Sequence, residues 1–120
     1  MNDTGLATPP PGRTVLITGA VRGFGRTTAA RFLALGAPVA VHVRDAERAR
    51  TLADELGPNA VPVSGDLAEA GVPRDIVART IERFGRLDIL VNNAAAAWTT
   101  RFEKIAEEEW RRAVETNLTA

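Results

Sequence analysis

Two groups of residues in this chain have types and spacing suited to chemistry. The first is the run Thr18-Gly19-Ala20-Val21-Arg22-Gly23-Phe24-Gly25, which follows the apolar Val15-Leu16-Ile17 and opens an amphipathic segment. A glycine turn between a strand and a helix lets the backbone approach a pyrophosphate closely, and the helix N-terminus behind it offers unpaired N–H groups and a positive dipole end. The whole turn, Gly19 to Gly25, is therefore expected to line a nucleotide. Glycines also mark ordinary turns, so the reading depends on a strand before the turn, a helix after it and a second strand ending nearby. The second group consists of Arg44, Asp66, Leu67, Asn92, Asn93 and Asn117, each placed where an apolar run ends or inside a helical pattern. Asn117 in mid-helix is unfavourable unless its amide makes a bond.

Composition narrows the chemistry. There is no Cys, which excludes disulfides and thiolate ligands, and His42 is the single His, which leaves no transition-metal cluster to build. His42 lies inside an apolar run and reads as a packed strand residue rather than a base; Trp98 and Trp110 read as packing. Fifteen Lys and Arg balance 15 Asp and Glu, so no field favours nucleic acid or an anionic membrane. Met1 to Gly12 has a triple proline and no apolar core, and reads as a flexible arm before a single domain over 13–120. No apolar run spans a bilayer, so a cytoplasmic location is expected.

The elements that must position these residues alternate. Strand 1 is expected over Arg13 to Thr18, and helix 1 over about Gly25 to Leu35 with Ala29, Phe32, Leu33 and Leu35 inward, stopped by Gly36. Val39 to Val43 is nearly all apolar, as in a parallel strand covered on both faces. Asp45 caps helix 2, which runs to Leu56, and Gly57-Pro58 breaks it. Ala60 to Val63 is strand 3. Helix 3 runs from Pro73 to Phe84 with Ile76, Val77, Thr80 and Ile81 inward, Leu87 to Val91 is strand 4, and a last helix near Ala106 carries Trp110, Val114 and Leu118. Right-handed βαβ crossovers that reverse after strand 3 give an α/β, partial doubly wound Rossmann fold with parallel order 3-2-1-4.

The glycine spacing resembles the T-G-x-x-x-G-x-G pattern of the short-chain dehydrogenase/reductase family. Asn92-Asn93-Ala94-Ala95 resembles that family's N-N-A-G, Asp66-Leu67 its adenine-contacting loop, and Trp110 to Asn117 its helix with a catalytic Asn. The resemblance covers Arg13 to Ala120, and looks most like the N-terminal half of a 3-oxoacyl carrier-protein reductase type member. It implies that Asp66 and Leu67 contact adenine, that Asn93 lines the cofactor while Asn92 is structural, and that Asn117 bends its helix and serves a proton relay. It also implies a small carbonyl or alcohol substrate and a homo-oligomer in the complete enzyme. Ala95 replaces the family's glycine, and its Cβ is expected to crowd the backbone if φ there is positive.

Charge argues for the coenzyme. A ribose 2′-hydroxyl is usually held by a carboxylate at the end of strand 2, whereas a 2′-phosphate needs cations. Val43 and Arg44 stand there, with Arg22 in the turn, which favours NADP with NAD as the alternative; the rival is that Asp45 and Glu47 neutralise Arg44. The family's Ser and Tyr-x-x-x-Lys are not matched, and the chain contains no Tyr. It is thus expected to hold the nucleotide end only and to be inactive alone. The alternative is a non-catalytic nucleotide-binding module or remnant.

Overall fold

A computed structural model describes residues 12–120; the arm expected before Arg13 otherwise lies outside them. Four strands, β1 (Val15–Ile17), β2 (Val39–Val43), β3 (Ala60–Ser64) and β4 (Ile89–Val91), alternate with helices α1 (Gly23–Ala34), α2 (Ala46–Leu56) and α3 (Val72–Phe84). A short 3₁₀ turn (Phe102–Lys104), helix α4 (Glu107–Val114) and a π-helical turn (Glu115–Thr119) follow. The sheet is parallel with order β3-β2-β1-β4, as the alternation requires. The switch point lies between β1, whose helix returns toward β2, and β4. Ligands in open α/β sheets bind beyond the strand ends at this position.

Two apolar layers hold the sheet. On one face Val15, Ile17, Val39 and Val41 pack with Ala29 of α1 and Ala49, Leu52 and Ala53 of α2. On the other, Leu16, Ala40 and Val63 meet Ile76 of α3. Leu16, Ile17, Leu52 and Ile76 are among the largest fully buried side chains, and each such burial contributes about 1.5–3 kcal/mol. The central strands β1 and β2 are buried throughout, which is why they read as continuous apolar runs. Pro62 sits exposed on the edge strand β3, where a missing N–H costs no ladder bond.

Two expectations about faces need correction. Leu35 lies beyond the last residue of α1 and is 36% exposed. Ile81 is 43% exposed, because the buried stripe of α3 runs through Ile76 and Thr80 at an i, i+4 spacing and Ile81 falls about 100° round from Thr80. In the last helical segment Ala113 is buried, whereas Leu118 is 82% exposed. Trp98 and Trp110 do pack, on each other, with ring centroids 6.3 Å apart.

The sheet's entry end is pinned by one carboxylate. Asp88 accepts from the Thr14 amide at 2.9 Å, from Arg13 at 2.9 Å and from the Arg86 Nη2 at 2.6 Å. The Thr14 carbonyl in turn accepts from the amides of Asp88 and Ile89. The Arg86 guanidinium, with the Thr14 amide, holds the Asp88 carboxyl far below its ordinary 3.8. A depressed acid stabilises the fold above its unfolded value, and this contribution is lost as pH falls through the folded one. Asp88→Asn is therefore expected to lower the melting temperature at neutral pH, with the gap to wild type shrinking below pH 3.8 in thermal melts.

Candidate functional site

The sequence builds an open hollow of about 970 Å³ at the switch point, lined by the glycine turn, the ends of β2 and β3, the loop after β4, and α4. Its floor is the junction of β1 and α1. Gly19 and Gly23 have φ of +66° and +60°, a backbone shape that favours glycine. A Cβ on Gly23 would touch no protein atom, so that side of the turn is open. A Cβ on Gly19 would come within 2.8 Å of Ala94 Cα, and one on Gly25 within 2.5 Å of the Gly19 carbonyl.

Helix α1 starts two residues earlier than expected, at Gly23, with Arg22 as its N-cap and no side chain capping it. Its first amides, on Gly23, Phe24 and Gly25, have no acceptor among the described residues. Helix α2 shows the contrast: Asp45 Oδ1 accepts from the Arg48 amide at 2.9 Å and closes that end. Free donors and a positive dipole end of this kind are suited to an anion, and they lie at the turn where the sequence analysis expects a nucleotide.

The turn is held from both sides. Thr18 Oγ1 accepts from the amides of Asn93, at 3.1 Å, and Ala94, at 3.0 Å. Asn93 Nδ2 donates to the carbonyls of Thr18 and Gly19 at 3.1 and 3.0 Å. From β2, the His42 carbonyl accepts from the Ala20 amide at 2.9 Å, and His42 Nδ1 accepts from the Gly19 amide at 3.2 Å. Not every expected residue reaches the hollow. Val21, Arg22, Gly23, Phe24 and Asn93 line it, but Ala20 is fully buried in the core and Gly25 packs beneath the turn. Asn92, expected to be the structural member of the pair, is exposed and makes no side-chain hydrogen bond among the described residues; Asn93 does the bracing.

The charges are arranged differently from the expectation. Arg44 lies 3.5 Å from Asp66, so its carboxylate neighbour is Asp66 and not Asp45, which is occupied as a cap, or Glu47. With Arg44 70% exposed, that pair contributes little, about 0–1 kcal/mol. Arg112 of α4 makes the closer contact to Asp66, 2.9 Å, and its hydrogen bond holds the Asp66 carboxyl below the ordinary range. Asp66 Oδ1 also accepts from the Ala68 amide. Arg48 faces the same hollow, beside Arg22 and Arg44. Leu67 lines it too, and also a smaller hollow with Asn117. Asn117 sits in the π-helical turn, where the helix departs from α geometry, and its amide pairs with the Ala96 backbone: Oδ1 accepts from the amide at 2.7 Å and Nδ2 donates to the carbonyl at 2.8 Å.

Residues 13–120 match the family described as short chain dehydrogenase. The chain belongs to that family. A sorbitol dehydrogenase of Cereibacter sphaeroides is 37% identical over 107 residues, covering 89% of this chain and 42% of the relative. A crystal structure of the 3-ketoacyl-(acyl-carrier-protein) reductase of Brucella melitensis complexed with NADH superposes with a TM-score of 0.81 at 37% identity, covering 89% of this chain and 44% of that one. A short-chain dehydrogenase of Burkholderia cenocepacia in complex with NADP gives 0.83 at 33%, with 90% and 46% covered. The chain thus spans about half the length of the relatives it matches, as the resemblance to an N-terminal half implies.

The family's departure at Ala95 is harmless to the backbone. No non-glycine residue among those described has positive φ, so Ala95 carries its Cβ without strain. Sequence reasoning missed Thr18, Arg48 and Arg112, and undervalued His42. A Thr at the end of a buried strand and a lone His within one were the available signals, since a buried polar side chain must find a partner. It also missed Thr116, whose buried hydroxyl has no partner among the described residues and which lines both hollows. Because Gly25 is crowded by backbone and Gly23 is not, Gly25→Ala is expected to cost more stability in urea denaturation than Gly23→Ala. Overpacking costs about 1–3 kcal/mol and the left-handed shape about 1–2 kcal/mol. Equal losses would contradict the crowding at Gly25.

Proposed function

We propose that these residues form the dinucleotide end of an oxidoreductase that prefers NADP(H) and transfers hydride between it and a small carbonyl or alcohol. The observation that carries this reading is the uncapped N-terminus of α1 behind an open glycine turn, faced by three arginines and no free carboxylate at the end of β2. The residues fit the group. The amides of Gly23 and Phe24 would hold the pyrophosphate, and Arg22, Arg44 and Arg48 would hold a 2′-phosphate, with Asp45 withdrawn into its cap. Asp66 retains acceptor capacity for an adenine amino group beside its bonds to Arg112 and Ala68. Asn93 fixes the turn at the switch point, and Asn117 fixes the loop after β4 by its bonds to Ala96. A bound nicotinamide supplies or accepts the hydride.

Reduction of a carbonyl also needs a proton donor, and Tyr is absent from these 120 residues. Asn117 has no proton to give an alkoxide, and the His42 imidazole is occupied on both nitrogens. Turnover therefore depends on groups these residues do not contain.

Titration calorimetry is expected to show tighter binding of NADP than of NAD. Arg44→Asp should narrow or reverse the preference, since one charge-assisted hydrogen bond contributes about 1.5–3 kcal/mol. An unchanged coenzyme ratio would remove Arg44 from the site. The chain alone is expected to oxidise no NADPH above blank with a panel of ketones. Binding without turnover also fits the non-catalytic module, and measurable turnover would overturn the proton-donor assignment.

A further inference from the structure

We propose that His42 is a positioning residue for the glycine turn: its neutral imidazole ties the turn to the loop after β3, and a proton on Nδ1 releases the turn and with it affinity for a dinucleotide. The proposal rests on the dinucleotide reading above. His42 is 3% exposed, in a strand whose other members are Val39, Ala40, Val41 and Val43. An apolar residue would fill that space without needing partners, whereas an imidazole is tolerated there only if both nitrogens are bonded. Both are. Nδ1 lies 3.2 Å from the Gly19 amide, and Nε2 lies 2.9 Å from the Gly65 carbonyl.

These partners fix the tautomer. A carbonyl can only accept and an amide can only donate, so Nε2 carries the hydrogen and Nδ1 is bare. Protonation would set an N–H on Nδ1 against the Gly19 N–H, replacing a hydrogen bond with two opposed donors. Gly19 has little room to respond, with Ala94 on one side and the Asn93 amide on its carbonyl. The Gly65 end is equally constrained, because Val72 of α3 fills the space beside its Cα. The imidazole therefore sets the distance between the turn that would take pyrophosphate and the loop that carries Asp66.

Charged groups face His42 from every neighbouring element. Asp66 follows Gly65 in the loop after β3, Arg44 ends β2, Arg22 lies in the turn, Asp45 and Arg48 open α2, and Arg112 reaches in from α4. The Arg112 hydrogen bond holds the Asp66 carboxyl below its ordinary range, so Asp66 presents a negative charge to the imidazole. Burial pushes His42 below its ordinary 6.5, opposed by the Gly65 hydrogen bond and the Asp66 charge. A depressed group of this kind supports the native turn above 6.5 and withdraws that support as pH falls through the folded value.

Because the chain has a single His, its imidazole can be followed directly by NMR in the cofactor-free chain. The expected result is the Nε2–H tautomer, with the Gly19 amide resonance moving along the same titration curve as the imidazole. Calorimetry with NAD, which lacks the 2′-phosphate that itself titrates near about pH 6, is then run between about pH 8 and pH 5. Affinity is expected to fall toward a limit of about tenfold per pH unit below the folded value. His42→Gln, whose amide can accept from Gly19 and donate to Gly65 without titrating, should bind NAD within about threefold of wild type at pH 8 and lose the slope. The proposal is overturned by an Nδ1–H tautomer, by a Gly19 amide indifferent to the imidazole, or by the same slope in His42→Gln. If neither NAD nor NADP binds at any pH, the dinucleotide reading fails, while the tautomer and the Gly19 amide still decide the role of His42.

Discussion

The hydroxyl of Thr18 and the amide of Asn93 are the contact on which the site depends. They join the last residue of the β1 run to the first residues after β4, across the gap where the sheet changes winding direction. A backbone turn with two glycines at positive φ has many conformations available and loses them all on folding. Four hydrogen bonds from Thr18 and Asn93, and two more from His42, restrict it to one. The donors of α1 are left free because no side chain caps that end of the helix.

Electrostatics complete the arrangement. The hollow carries arginines from the turn, from the end of β2, from α2 and from α4, while its carboxylates are already engaged: Asp45 by the Arg48 amide, Asp66 by Arg112 and the Ala68 amide. An anion entering this space meets donors that need no reorganisation, which is the condition under which such contacts contribute most. The Arg112 bond also ties α4, which runs on into the turn that holds Asn117, to the loop after β3 that holds Asp66.

Much of this was legible in the residues themselves. The nearly apolar run Val39 to Val43 reads as a strand covered on both faces, and the glycine spacing after Ile17, set between that strand pattern and a helical one, reads as a turn that lets the backbone approach a ligand. What the sequence withheld were pairings between distant segments. Residue types alone do not distinguish Asn92 from Asn93; the family resemblance pointed to Asn93, and its bonds to the Thr18 and Gly19 carbonyls show that it is the one turned inward. Arg112 and Asp66 are 46 positions apart and meet only because α4 folds back over the sheet end. Ile81 fits an apolar helical stripe in sequence, yet the sheet covers only the narrower face through Ile76 and Thr80.

The central claim, that the pinned turn presents the first amides of α1 to a dinucleotide, is tested most directly by titrating the ¹⁵N-labelled chain with NADP and following its amide resonances. The account predicts the largest shifts at Gly23, Phe24 and Gly25, with the Asn93 and Thr18 resonances following and the distant Asp88 anchor unmoved. Shifts confined to other surfaces, with the α1 amides unaffected at saturation, would contradict it.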